Sequence, residues 1–418
     1  MPHYQRLGAL PPKRHTQFRK PDGTLYTEEV IGAEGFSGIS SIAYHLYPPT
    51  LVDGVGERTP FRVEYADENV LRHRHVRGWN VPQSGDWLTG RRYIMGNEDV
   101  RLALCRPTEE MGYFYKNATC DELVFVHEGE GTLESVFGAV EFRQGDYVHV
   151  PRTVTHRWRF EGMRDPRLLV IEGVHAIEFP RKYRNEFGQL LEHSPYHERD
   201  VRPPTELQTI DETGEFEVRI QKHGFLHHYL YRYHPFDVIG WDGYMYPYAI
   251  SIHDFEPITG RIHQPPPVHQ MYAGHNFVVC SFVPRKFDYH PLAIPAPYNH
   301  SNIDSDEVLY YAEGQFMSRR GIERGSFTLH PGGIPHGPHP GAVEASIGKD
   351  ATDELAVMVD TFRPLKLTVE ALALEDEEYA LSWRLPAGAG EGATGRGSAR
   401  ATPTDGAGEK TGSGYWSE

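Results

Sequence analysis

The sequence predicts an all-β-dominated protein built from two jelly-roll barrels, one in each half of the chain. Composition points there first: 24 Tyr, 20 Phe, 42 Gly and 32 Pro in 418 residues suit short strands and tight turns better than helices. Length points the same way, because 418 residues exceed what one barrel core uses and fit two structural halves. The third observation is an internal repeat. Asp121-Glu122-Leu123-Val124-Phe125-Val126-His127-Glu128-Gly129 and Asp306-Glu307-Val308-Leu309-Tyr310-Tyr311-Ala312-Glu313-Gly314 share one build, with Gly seven residues after Glu in both.

A second pair of segments extends the repeat. Gly145 leads through Pro151 to His156, and Gly325 leads through Pro331 to His336, with eleven residues from Gly to His in each copy. Glu opening a strand, Gly ending it, then Gly, Pro and His around a further hairpin is the two-part signature of the cupin barrel, an antiparallel jelly roll. Two copies predict a bicupin. Alternation with period two gives the spacing its reason, since inward-facing ligands must be interleaved with outward residues.

The copies differ where chemistry would sit. Seven residues before Glu307 stands His300, but seven before Glu122 stands Tyr115, while Asn302 and Asn117 keep equivalent places. The first barrel is therefore expected to lack metal ligands and to act as a structural half. The expected divisions are 1–240 for the N-terminal half, 241–385 for the metal-binding barrel and 386–418 for a flexible Gly/Ala/Ser/Thr-rich tail. A short closing helix is expected between Thr368 and Trp383.

Bulk properties exclude several functions. A formal net charge of -16 repels nucleic acid and anionic lipid, so neither is an expected partner. Three widely spaced cysteines, Cys105, Cys120 and Cys280, argue against a disulfide framework or a thiolate zinc site. The N-terminal residues lack the build of a signal peptide, and no apolar run reaches the length of a membrane span. A cytoplasmic protein is expected.

His300, Glu307 and His336 are the candidate metal ligands. Two imidazoles and one carboxylate on one face of an ion leave the other face open, the arrangement of non-haem Fe(II) oxygenases. Fe(II) is the expected cofactor, with O₂ as co-substrate. Asp304 and Asp306 are rival carboxylates, because a one-residue slip exchanges a strand's faces; the spacing to Gly314 favours Glu307. His330 is placed near the metal, where it could hold the free nitrogen of a ligand histidine. His269 could take a phenolic proton near neutral pH, although spacing alone ranks His263, His275 and His290 equally.

The run Pro297-Tyr298-Asn299-His300-Ser301-Asn302, then Glu307 to Gly314, Leu329-His330 and Pro335-His336-Gly337-Pro338, resembles the C-terminal half of the homogentisate 1,2-dioxygenase family. The strand Phe277 to Val283, leading to Pro284-Arg285, fits the same half, and Pro12 to Phe18 through Tyr47 to Thr50 resembles the shorter bacterial members. The resemblance implies iron on His300, Glu307 and His336, and His269 as the catalytic histidine handling the substrate hydroxyl. Tyr298, Phe316 and His330 fall among groups around the metal or substrate. It further implies opening of the homogentisate ring by O₂ to give 4-maleylacetoacetate in tyrosine and phenylalanine catabolism, by trimers or hexamers. Two features depart from the pattern: the His-to-Glu interval is one residue longer, and Phe316 stands where a tyrosine is expected. Alternatives are an oxygenase of the same type for another dihydroxy aromatic, such as gentisate or a hydroquinone, and a non-catalytic ligand-binding bicupin.

Overall fold

Antiparallel strands account for nearly all the regular structure. The computed structural model describes residues 3–67, 70–314, 316 and 321–384. The tail expected at 386–418 lies outside the described residues. Met1 to Ser382 packs as one compact unit.

Two seven-stranded sheets build the first barrel. One runs in the order Gly138–Phe142, Gly131–Ser135, His156–Phe160, Phe114–Asn117, Thr213–Lys222, Phe225–Tyr233 and Gly54–Pro60. The other runs Tyr248–Ser251, Asp146–Val150, Asp121–Glu128, Arg167–Gly173, Val100–Cys105, Arg91–Gly96 and Lys366–Leu367. Side chains from both, among them Leu133, Val140 and Trp158 with Leu102, Val124 and Val148, join one buried apolar core. Burial of that core is the main stabilising term for such a sandwich.

The second barrel has a six-stranded sheet ordered Gln270–Gly274, Phe277–Phe282, Leu355–Thr361, Asp306–Glu313, Phe327–His330 and Arg74–Val76. Its central strand, Asp306–Glu313, is the counterpart of Asp121–Glu128. Both strands end in glycines with positive φ, Gly129 at 108° and Gly314 at 93°, a region that L side chains avoid. The repeated glycine is therefore a backbone requirement.

Strands cross between the halves in both directions. Arg74–Val76 pairs with Phe327–His330, while Tyr248–Ser251 pairs with Asp146–Val150. The equivalent central strands also touch, through a 2.5 Å hydrogen bond between His127 Nδ1 and the Tyr310 hydroxyl. These exchanges join the two sequence repeats into one body. The closing helix expected between Thr368 and Trp383 is broken into a helical turn, Val369–Leu372, and a 3₁₀ turn, Tyr379–Leu381. The Thr368 hydroxyl caps the first turn by accepting from the Ala371 N–H.

Candidate metal centre

Strand register brings the chemistry together. Glu307 lies directly opposite His330 on one side and Asp360 on the other. Residues opposite one another in a ladder project from the same face, so these three side chains form a row inside the barrel. His300 and His336 come from outside the main sheet and pair as an isolated bridge, His300 N–H to the His336 carbonyl at 2.9 Å and the reverse at 2.8 Å. Gly337 makes that approach possible, since a Cβ there would sit 2.8 Å from Asn299 Cα.

His300 Nε2 lies 3.6 Å from Glu307 Oε2, and His336 Nε2 lies 3.4 Å from Glu307 Oε1. Ligand atoms of the three residues all fall within 4.8 Å of one another. Ligands about 2.1 Å from one ion in neighbouring positions are about 3 to 3.4 Å apart, so little movement separates this arrangement from a coordination sphere. The His336 side chain is fully buried, but that of His300 is 34% exposed, which leaves the group open on one side. Neither ring nitrogen of His336 has a hydrogen-bond partner. A buried, unpartnered imidazole facing a carboxylate fits the donor set of a metal-binding site.

Burial would raise the Glu307 pKa, but the facing imidazoles of His300, His330 and His336 outweigh it and hold the group well below the usual carboxylate range. Glu307 is therefore an anion at neutral pH. Asp360 behaves oppositely: burial and the neighbouring Glu307 charge push it up to about 8. Its Oδ1 is buried without a hydrogen-bond partner.

The other expected residues are distributed around this group. His330 Nδ1 lies 2.9 Å from Glu307 Oε1, and its ring stacks on His336 at 4.6 Å. It thus holds the carboxylate, instead of the free nitrogen of a ligand histidine that the sequence suggested. Asp306 turns to the other face and accepts from the Gly332 and Leu365 N–H groups, each at 2.8 Å, while Asp304 is exposed. Tyr298 is 53% exposed, with its ring 6.0 Å from that of His300. Phe316 packs edge-on against Tyr311 at 4.5 Å.

His269 is buried outside the group of three, its ring 4.6 Å from Phe282. Burial, Arg285 and His263 lower its pKa to about 3. It is therefore a neutral imidazole near neutral pH, and its Nδ1 lacks a hydrogen-bond partner. Sequence reasoning missed Asp360, Tyr379, whose hydroxyl lies 3.3 Å from His330 Nε2, and His73, whose ring lies 5.5 Å from His330 and 6.0 Å from His336. No local motif marks them, because each arrives by pairing or closure of distant segments.

Comparison with known proteins agrees with this architecture. The cupin domain family profile matches residues 106–172, within the first barrel. "Putative dioxygenase SSO1533" of Saccharolobus solfataricus is 44% identical over 386 residues, covering 92% of this chain and 99% of that one. The chain belongs to this dioxygenase family. Homogentisate 1,2-dioxygenase of Bradyrhizobium diazoefficiens is a more distant relative of this cupin-type dioxygenase, 25% identical over 65% of this chain and 62% of its own. Among solved structures, a cupin 2 conserved barrel domain protein from Leptotrichia buccalis superposes with a TM-score of 0.34 and 8% identity, over 73% of this chain and 100% of that one. Among the described residues, no helix is long and apolar enough to cross a membrane.

Proposed function

We propose that the protein is a non-haem Fe(II) dioxygenase that opens the ring of homogentisate with O₂ to give 4-maleylacetoacetate. The observation that carries this reading is the convergence of His300, Glu307 and His336. Two imidazoles and one carboxylate, with no thiolate, suit Fe(II) and leave coordination positions for substrate and oxygen. When bound, iron supplies electron exchange with O₂ and polarises a phenolic oxygen.

The protein's own residues prepare that chemistry. Glu307, held anionic by three histidines, sets the charge of the site. His330 fixes the carboxylate from the opposite strand. His269, neutral and with an unpartnered Nδ1, orients a substrate hydroxyl by hydrogen bonding.

A second reading keeps the reaction and changes the diol to gentisate or a hydroquinone. Phe316 favours it, because a phenylalanine offers a substrate no hydroxyl. Anaerobic loading with Fe(II), followed by oxygen uptake with homogentisate and gentisate side by side, tests both. Uptake with homogentisate is expected. Ready consumption of gentisate with homogentisate untouched would move the assignment to the second reading.

A further inference from the structure

The first barrel carries a copy of the metal centre in which a side chain stands in the ion's place. Registers set the correspondence. Glu122 lies opposite Glu172 and Val150, as Glu307 lies opposite Asp360 and His330. Tyr115 lies opposite His156, as His300 lies opposite His336. Glu122, Glu172 and His156 are thus the counterparts of Glu307, Asp360 and His336. Tyr115 and Val150 are the departures, standing for His300 and His330.

Arg91 enters this cluster from the strand Arg91–Gly96. Its Nη1 lies 2.7 Å from Glu122 Oε1 and 2.8 Å from Glu172 Oε1, and the guanidinium and Glu172 side chains are 0% exposed. A single cationic nitrogen therefore bridges two buried carboxylates, as a metal ion would. Arg101 reaches the far oxygen of Glu172 at 3.5 Å, from a partly exposed position.

One side of the cluster remains unmatched. His156 Nδ1 lies 2.9 Å from the Val154 carbonyl and so carries the ring proton, which leaves Nε2 as a bare acceptor. That Nε2 faces Glu122 Oε2 at 3.7 Å, and neither atom has a hydrogen-bond partner. Two buried acceptors facing one another with no proton between them are stable only beside a positive charge. The tautomer is also the one a metal-ligating histidine needs, its outer nitrogen held by a carbonyl.

We infer that the first barrel holds a latent divalent-cation site formed by Glu122, Glu172 and His156, which Arg91 keeps closed. Imidazole with two carboxylates suits a first-row divalent ion such as Mn(II), Fe(II) or Co(II). With Arg91 present, His300, Glu307 and His336 remain the sole ligand group within 4.8 Å among the described residues. A guanidinium is always charged and cannot dissociate, so this barrel keeps its central cation whatever the metal supply.

The test is Arg91→Met, which retains an unbranched stem against Trp87, whose ring lies 4.4 Å from the guanidinium carbon. Co(II) bound per chain is counted by equilibrium dialysis and followed by its visible absorption, in the otherwise native full chain and with His336→Ala. In both backgrounds the variant is expected to hold one Co(II) more than its parent, and Glu122→Gln is expected to abolish that extra ion. A folded variant that takes up no additional Co(II) at millimolar concentration overturns the inference. Should Arg91→Met unfold without metal, recovery of the native circular dichroism on adding Co(II) supports it. Failure to recover contradicts it, because any cation at that place should suffice.

Discussion

Glu307 Oε1 lies 2.9 Å from His330 Nδ1, across a ladder in which the two residues are directly opposed. The pair fixes the carboxylate's orientation before any metal arrives. Partners of this kind, one step removed from the ion, are worth about 10- to 100-fold in affinity. His330→Ala should therefore weaken Fe(II) binding by about that factor while leaving the three ligands in place. Competition with a chelator of known affinity measures it, and unchanged affinity would remove His330 from the account.

Asp360 predicts a pH dependence of metal binding. Burial and the Glu307 charge raise its pKa to about 8 in the metal-free protein, so it holds a proton at pH 7. A cation on Glu307 relieves the repulsion and releases that proton. Affinity should rise with pH, by up to about tenfold per unit, and level off above the Asp360 pKa. Calorimetry in two buffers of different ionisation enthalpy counts the proton. Asp360→Asn should reduce the slope.

His269 should matter to turnover without holding iron. Burial, Arg285 and His263 bring its pKa to about 3, so it stays neutral across the working range. His269→Ala is expected to retain iron and to lower kcat by about 10²- to 10⁴-fold, the usual worth of a positioned acid or base. Between pH 5 and 8 the native pH–rate profile should show no ionisation that disappears in the variant. A variant with full kcat would leave His269 as a packing residue.

Outside the group of three candidate ligands, His45 sets a window of pH-dependent stability. Burial would lower its pKa, but hydrogen bonds with Asp237 at 2.8 Å and Glu29 at 3.1 Å outweigh it and raise the value to about 9. A raised histidine stabilises fully below its ordinary value of 6.5 and loses that contribution as pH climbs through about 9. The shift corresponds to at most about 3 kcal/mol. Urea unfolding at pH 6 and pH 9.5 should show native stability falling, with a smaller fall in His45→Gln.

The repeat was legible because its positions are fixed by local backbone and by face. Gly129 and Gly314 occupy a left-handed conformation, and Glu122 and Glu307 open strands that must alternate, so both leave marks in the sequence. The difference between Tyr115 and His300 was legible for the same reason. Arg91, Asp360, Tyr379 and His73 were not. Arg91 reaches Glu122 from a strand three places along the sheet, and Asp360 meets Glu307 through the register of Leu355–Thr361. Such meetings depend on how a sheet closes, which no spacing along the chain encodes. Spacing alone could not single out His269 from the other histidines, because its burial beside Phe282 and Arg285 comes from the packing of distant segments.

Iron stoichiometry under anaerobic titration tests the central claim most directly, comparing the native chain with His336→Ala. The account predicts one tightly held Fe(II) per native chain, and loss of that binding in a variant whose circular dichroism is unchanged. A folded His336→Ala protein that kept its full iron would contradict it.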